Sequence, residues 1–167
     1  QLVRELLQRP EYADYWALKW ADTLRAERLK LGRKQAYAYY RWIHQSFRDN
    51  KGFDQFAREL VTAEGPLDEL SAGQFYKAVG SAKDWASTIS QVFLGVRIEC
   101  AQCHHHPFDR WSQQDYYGME AFFAPVQFKQ TARGPAIVAD GGSRTLHPRS
   151  GKEVFAHPLA TPMPAEN

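Results

Sequence analysis

The sequence lacks any run of about 18 apolar residues, which is the shortest stretch that spans a membrane as a helix, so we expect no transmembrane segment in this chain. Cysteine is scarce: there are two in 167 residues, both in one short motif, which leaves no thiol for a structural disulfide. A large excess of charge of one sign is also missing, since 21 basic residues face 19 acidic ones. Nucleic-acid-binding domains normally concentrate basic charge on one face, so we do not expect nucleic acid as a partner.

The length and the 44% apolar content suffice for one hydrophobic core. Aromatic residues are abundant, with five Trp, eight Tyr and ten Phe. Large flat side chains suit an ordinary helical core and a buried porphyrin equally well. The N-terminal residues show no signal-peptide pattern and begin directly on a helical pattern, so we expect the chain to be a piece of a longer protein.

Apolar spacing in the first two-thirds of the chain predicts helices with short breaks. We expect helices at residues 10–32, 33–48, 53–63, 83–96 and 113–123, with residues 74–79 ambiguous. Ser81 and Ser112 are expected to cap the last two of these helices. The helix at residues 10–32 is expected to turn Tyr12, Trp16 and Trp20 to the core. In the helix at residues 33–48, the expected buried positions are Ala36, Tyr40, Ile43 and Phe47.

Glycine and proline become frequent from Pro125 onward, which leaves room only for short strands. Residues 136–139 and 153–156 are the candidate strands, and residues 161–167 resemble a linker. The predicted fold class is therefore mainly α, with a small irregular or β-hairpin C-terminal appendix. We expect a helical domain at residues 1–124 and the appendix and linker at residues 125–167.

The two cysteines form the motif Cys100-Ala101-Gln102-Cys103-His104, which is typical of covalent haem attachment. Two thiols three positions apart on one helical turn can each add to a vinyl group of haem. The histidine that follows is then the proximal ligand of the iron. The motif predicts one covalently bound haem c, held by Cys100, Cys103 and His104.

Two other readings of the motif remain open. A thioredoxin-type dithiol has the same cysteine spacing, but it lies between a strand and a helix, whereas the segment before Cys100 has a helical pattern. A structural zinc site can combine Cys100 and Cys103 with two of His104, His105 and His106, although such sites usually draw their second ligand pair from a distant segment. His44, His147 or His157 can supply a more distant zinc ligand.

The second axial ligand of the iron is not fixed by the motif. Met119 and His147 are the main candidates, and an open position is the third possibility. A methionine opposite the histidine favours a higher potential and electron transfer, whereas an open position permits chemistry on peroxide, oxygen or nitric oxide. Arg97 and Arg110 flank the motif and are the expected partners of the haem propionates, because a guanidinium suits a carboxylate.

The combined pattern resembles the planctomycete cytochrome c-like domain, an exported domain of unknown function with a CxxCHxHPFD signature. The similar stretches are residues 12–16, 19–20, 40–42, 53–56, 91–96, 100–109, 115–118, 121–123, 147–149 and 151–152. The resemblance implies a helical c-type cytochrome-like fold and haem c on Cys100, Cys103 and His104. It also implies that His106 and Asp109 belong to the family signature, with His106 as a candidate haem-binding residue, and it favours His147 over Met119 as the distal ligand.

Motif and resemblance together predict a haem domain that transfers single electrons within a larger exported protein, in the periplasm or cell envelope. Its expected partner is a redox protein or a neighbouring cytochrome domain. A haem enzyme or gas-sensing domain with an open iron position is the first alternative. A structural zinc module is the second.

Overall fold

The computed structural model describes residues 1–159. Helices fill most of the chain up to residue 121, and all but one of the short antiparallel strands in the described residues follow. The helices are α1 (Leu2–Leu7), α2 (Pro10–Thr23), α3 (Arg28–Leu31), α4 (Arg33–Arg48), α5 (Phe53–Val61), α6 (Gln74–Val79), α7 (Ala82–Phe93) and α8 (Gln113–Ala121). A 3₁₀ turn spans Glu99–Gln102. The strands are β1 (Gly65–Pro66), β2 (Val126–Thr131), β3 (Gly134–Ala139), β4 (Arg144–Leu146) and β5 (Glu153–Phe155). The mainly α fold with a small β part is confirmed.

Both expected strands are present as parts of β3 and β5, and the ambiguous segment 74–79 is helical. The strand order β1-β3-β2 forms one sheet, and β4 pairs with β5 in a second one. The linker expected at residues 161–167 lies outside the described residues. Within residues 1–159, none of the helices has both the length and the apolar character needed to cross a bilayer.

Four predicted helices end earlier than expected. Those expected to end at residues 63 and 123 end two residues short, and the other two have a visible backbone cause. The helix expected at residues 10–32 is divided into α2 and α3, because Arg25 adopts a left-handed conformation with φ of 56°. The helix expected to run to Val96 ends at Phe93, and Gly95 follows with φ of 69°. A left-handed residue cannot continue a right-handed helix, so local backbone conformation overrides the periodic pattern at both places.

The buried stripe of α2 differs from the predicted aromatic one. Ala13, Ala17 and Ala21 are buried, whereas the side chain of Trp16 is 41% exposed. These alanines recur every fourth residue and so lie on one face of the helix. Helix α2 packs against α4, and its buried face consists of small residues, which let two helices approach closely.

The buried face of α4 agrees with the prediction at two of its four positions. Ala36 and Ile43 are buried as expected, but Tyr39 replaces Tyr40 as the fully buried tyrosine of this helix. Burial raises the pKa of the Tyr39 hydroxyl well above its ordinary value. Phe47, expected to be buried, is half-buried.

The chain forms two compact units. The first comprises Gln1–Gly80 and Phe128–Val138, and the second comprises Ser81–Gln127 and the segment from Ala139 onward. The boundary expected between residues 124 and 125 falls inside the second unit and stays a prediction. In this second unit, α8 contacts α7, the 3₁₀ turn and both strands β4 and β5. It therefore positions the side chains around the cysteine motif.

Candidate functional site

The cysteine motif begins on the 3₁₀ turn and points both thiols to the surface. Ile98 and Ala101 are fully buried and anchor the turn within the second unit. Cys100 and Cys103 are exposed and not joined in a disulfide. Backbone N–H groups of Cys103 and His104 both donate to the Cys100 carbonyl, at 3.4 Å each. Both thiols are thus accessible on one short turn.

Side chains from α8 fix the end of this turn. The Gln102 carbonyl accepts hydrogen bonds from Gln113 Nε2 at 2.9 Å and from the Tyr117 hydroxyl at 3.1 Å. Burial raises the pKa of the Tyr117 hydroxyl above its ordinary value, so it remains a donor at neutral pH. Both donors lie on a regular helix that starts at a capping box formed by Ser112 and Asp115. The helix start predicted at Ser112 is therefore correct, and it determines where these donors lie.

A distant segment contributes a third donor to the turn. Arg149 donates from a terminal guanidinium nitrogen to the Cys103 carbonyl at 2.8 Å, across 46 residues of chain. The His147 ring lies 5.3 Å from the Tyr117 ring. Together, Gln113, Tyr117 and Arg149 hold two successive carbonyls of the motif, and we call these three residues the clamp.

The imidazole of His104 is in the tautomer that suits metal binding. Its Nδ1 lies 2.6 Å from the His105 carbonyl oxygen. A carbonyl only accepts hydrogen bonds, so Nδ1 carries the proton, and in the neutral imidazole Nε2 then keeps its lone pair. An Nδ1–H bonded to a backbone carbonyl is the usual arrangement of an imidazole that binds metal through Nε2. His104 is exposed, so this nitrogen is accessible.

His106 and Asp109 shape the loop that follows the motif. Phe108 N–H donates to His106 Nδ1 at 3.3 Å, and His106 N–H donates to the Trp111 carbonyl at 2.8 Å. The Asp109 carboxylate accepts from Arg110 N–H at 2.8 Å and from Trp111 Nε1 at 2.9 Å. Both residues therefore fix the loop conformation, while Phe108 at its tip is 95% exposed.

The two candidate distal ligands lie in different environments. Met119 is on α8 and is buried, with 7% of its surface exposed. His147 is half-buried, and its Nδ1 accepts from the N–H groups of Arg149 and Ser150 at 3.3 and 3.4 Å. In a neutral imidazole that accepts through Nδ1, the proton is on Nε2. His147 is therefore not in the tautomer required for binding iron through Nε2.

The two arginines predicted to bind propionates lie at the surface. The Arg110 guanidinium lies 4.7 Å from the centre of the Trp111 ring, a cation–π distance. Arg97 is exposed on the segment between α7 and the 3₁₀ turn. Arg149, which was not predicted as a site residue, donates a hydrogen bond to the motif.

Sequence reasoning missed two polar side chains at α8: Glu120, which is buried on the helix, and His157, which packs against Gly118. Glu120 is 7% exposed, and one of its carboxylate oxygens is buried without a hydrogen-bond partner. Burial raises the pKa of the Glu120 carboxyl. The His157 ring lies close to Gly118, and its Nε2 is 3.8 Å from an oxygen of Asp115. A glycine inside α8 was the only sequence signal for this close contact.

The donors of the motif fit a haem in chemical terms. Thioether attachment requires two accessible thiols on one turn, and the proximal position requires an imidazole with a free Nε2. Cys100, Cys103 and His104 meet both requirements. Within residues 1–159, no group of three or more His, Cys, Asp or Glu side chains is arranged to hold a metal ion. A haem iron needs no such group, because the porphyrin supplies four of its ligands. His44, an alternative zinc ligand, is paired with Asp14 at 2.9 Å.

The comparison with protein families gives a match over most of the chain. The family model PSCyt2, described as a protein of unknown function (DUF1549), matches residues 1–128. The chain belongs to the PSCyt2 family. The PSCyt2 match contains the cysteine motif and α8, and it ends before β4, so His147, Arg149 and His157 lie beyond it. Comparisons with curated proteins and with solved structures gave no match.

Proposed function

We propose that this domain binds one haem c covalently and transfers single electrons. The observation that carries the proposal is the arrangement of the motif: two exposed thiols on one turn, followed by an imidazole whose Nδ1–H bond leaves Nε2 free. Cys100 and Cys103 form the thioether bonds, and His104 binds the iron. The iron, when bound, supplies a centre that gains or loses one electron without breaking a bond.

The residues around the motif support this function by keeping it rigid. Electron transfer is fast when the ligands move little between the two oxidation states. The clamp holds the carbonyls of Gln102 and Cys103, and the Asp109 carboxylate holds the loop after His106. The motif is thus fixed on both sides, although it has few backbone hydrogen bonds of its own.

Exposure of the motif favours electron transfer with another protein. A haem attached to two surface thiols presents an edge to solvent, and short edge-to-edge distances favour transfer to a docked partner. Exposed apolar side chains flank the motif in sequence, with Leu94 at 52% and Phe108 at 95% exposure. These side chains suit the apolar faces of a porphyrin or of a partner. The proposed partner is a redox protein or a neighbouring cytochrome domain.

The tautomer of His147 favours a second candidate function, a haem that binds a small ligand such as carbon monoxide or peroxide. If His147 keeps its two backbone donors and Met119 stays buried on α8, neither residue fills the sixth iron position. An open position then accepts an external ligand. This function uses the same residues, Cys100, Cys103 and His104.

Covalent attachment also implies where the protein works. Thioether formation needs reduced thiols and a dedicated ligation system, which bacteria keep outside the cytoplasmic membrane. We therefore propose a periplasmic or cell-envelope location. A resemblance to planctomycete cytochrome c-like domains is consistent with export.

The test is to export the chain in a host that carries a c-type haem ligation system, and to measure its intact mass and its optical spectrum. We expect the mass of one haem, and sharp absorption bands on reduction. Cys100→Ser and Cys103→Ser should each leave one thioether bond at most, and the double variant should carry no covalent haem. His105→Asn, which changes the neighbouring histidine, is the matched control and should retain the haem.

The spectrum also separates the two functions. Bands that carbon monoxide leaves unchanged indicate two protein ligands and favour electron transfer, whereas a high-spin spectrum that shifts with carbon monoxide favours ligand binding. Exported protein with two alkylatable thiols and no added mass would contradict both. One equivalent of zinc in that material would establish the structural alternative.

A further inference from the structure

The segment that follows the PSCyt2 match contributes a positive charge to the cysteine motif. The Arg149 guanidinium contacts the carbonyl of Cys103 at 2.8 Å. We propose that Arg149 is the cation of the haem site: it binds a haem carboxylate and raises the reduction potential of the iron. This inference rests on the proposed haem binding by Cys100, Cys103 and His104.

The hydrogen-bonding capacity of Arg149 supports this role. A guanidinium has five N–H donors in a planar fork, and the contact with Cys103 uses one of them. The remaining donors lie beside the residue that would carry one thioether bond. Arg149 is exposed, so a carboxylate can reach these donors without burial of an unpaired charge. Planar, two-point binding of a carboxylate is the geometry to which arginine is best suited.

The other two arginines near the motif are placed less well. Arg110 lies over the Trp111 ring, and its backbone is held by the Asp109 carboxylate, which also places a negative charge beside it. Arg97 is exposed, and within residues 1–159 it forms no hydrogen bond or ion pair with a motif residue. Arg149 is thus the arginine with a direct contact to Cys103.

The backbone around Arg149 is fixed, which keeps the charge in place. Arg149 N–H donates to His147 Nδ1 at 3.3 Å, and the His147 ring packs near Tyr117. His147 N–H and the Lys152 carbonyl are joined at 2.9 Å across the turn between β4 and β5. The role of His147 is therefore to position Arg149 rather than to bind iron.

The sign of the effect follows from Coulomb's law. Ferric haem carries one positive charge more than ferrous haem, so a nearby cation destabilises the ferric state relative to the ferrous one. Net charge and hydrogen bonds near the metal are known to set the potential of such centres. Removing the charge of Arg149 should lower the reduction potential.

The experiment measures the midpoint potential of the haem-loaded protein in Arg149→Gln, Arg149→Lys and Arg110→Gln. We expect Arg149→Gln to raise the ratio of ferric to ferrous haem at a fixed applied potential about three- to tenfold, which is up to about 59 mV for one electron. Arg149→Lys keeps the charge and should retain most of the potential. Arg110→Gln, which also removes one positive charge beside the motif, should change the ratio less than Arg149→Gln does.

A second measurement separates charge from positioning. Tyr117→Phe removes a donor of the clamp without removing a charge. In haem-free protein, amide hydrogen exchange at Cys103 and His104 should be faster in both Tyr117→Phe and Arg149→Gln, because each loses a contact to the motif. Only Arg149→Gln should shift the potential of the loaded protein.

Equal potentials in Arg149→Gln and Arg110→Gln would overturn the proposal while leaving haem binding intact. Protein that carries no haem in any variant would refute the proposed function instead. Hydrogen exchange unaltered in Arg149→Gln would show that Arg149 does not hold the motif.

Discussion

The His157 ring occupies the space in which a side chain at Gly118 would begin. A Cβ atom on Gly118 would lie 2.0 Å from Cε1 of His157, far inside van der Waals contact. The backbone N–H of His157 also donates to the Gly118 carbonyl at 3.3 Å. The absence of a side chain in the middle of α8 thus allows the segment after β5 to pack directly on the helix.

Gly118→Ala should therefore destabilise the protein, although alanine is the better helix former by about 1 kcal/mol. The new methyl group must displace the His157 ring, and overpacking of this kind costs about 1–3 kcal/mol. The free energy of unfolding, measured in denaturant, tests this. In a His157→Ala background the obstacle is absent, and the same substitution should be neutral or stabilising. If Gly118→Ala changed the free energy of unfolding equally in the wild type and in the His157→Ala background, the contact between Gly118 and His157 would be contradicted.

Glu120→Gln should stabilise the protein at neutral pH. Burial is the main cause that raises the pKa of Glu120, while the charge of Lys83 and a hydrogen bond from Thr145 oppose it. Since the folded pKa lies above the unfolded one, the ionised carboxyl weakens the fold. Below the unfolded pKa the carboxyl is protonated in both states and has no such effect. The wild-type chain should thus lose stability, relative to Glu120→Gln, as the pH rises through the folded pKa.

The measurement is the free energy of unfolding of both proteins from about pH 4 to pH 8, near and above the ordinary pKa of a glutamic acid. The free energy of unfolding of Glu120→Gln should exceed that of the wild type by a growing amount as the pH increases. Thr145→Val removes the hydrogen-bond donor to Glu120. In this background, Glu120→Gln should therefore increase the free energy of unfolding by more than it does in the wild type. A variant that is less stable than the wild type at pH 8 would show that the attraction to Lys83 outweighs burial.

Asp109→Asn should loosen the loop after the motif. The carboxylate accepts from Arg110 N–H and from Trp111 Nε1, and an amide has only one oxygen to accept both bonds. The indole N–H of the buried Trp111 then loses its partner, at a cost of about 1–3 kcal/mol. Unfolding of Asp109→Asn, Trp111→Phe and the double variant tests this. The two effects should not add, and additive losses would rule out the bond between these side chains.

His147→Asn should leave the spectrum of the haem-loaded protein unchanged. The Asn carbonyl oxygen can replace Nδ1 as the acceptor for the backbone N–H groups of Arg149 and Ser150, so the turn is retained. His147→Leu removes this acceptor and should lower the stability of the turn. A change from a low-spin to a high-spin spectrum in His147→Asn would show instead that His147 binds the iron.

Helix starts were the features best predicted from the sequence. Ser81 and Ser112 each cap a helix as expected, because a serine followed three residues later by an acidic side chain satisfies backbone donors locally. Helix ends and faces were predicted less well. Trp16 was expected in the core and is 41% exposed, while the alanines beside it are buried. Side-chain size does not show which face a neighbouring helix covers.

The sequence alone determined the chemistry available at the motif: two thiols on one turn, a following histidine, and no other cysteine. It also determined the mainly α character of the chain, since caps and apolar spacing act over a few residues. Only the tertiary structure decided which residues surround the motif. Arg149 reaches Cys103 across 46 positions, and His157 reaches Gly118 across 39, because the strands after α8 fold back onto that helix. Such contacts depend on the packing of whole elements, and no local pattern specifies them.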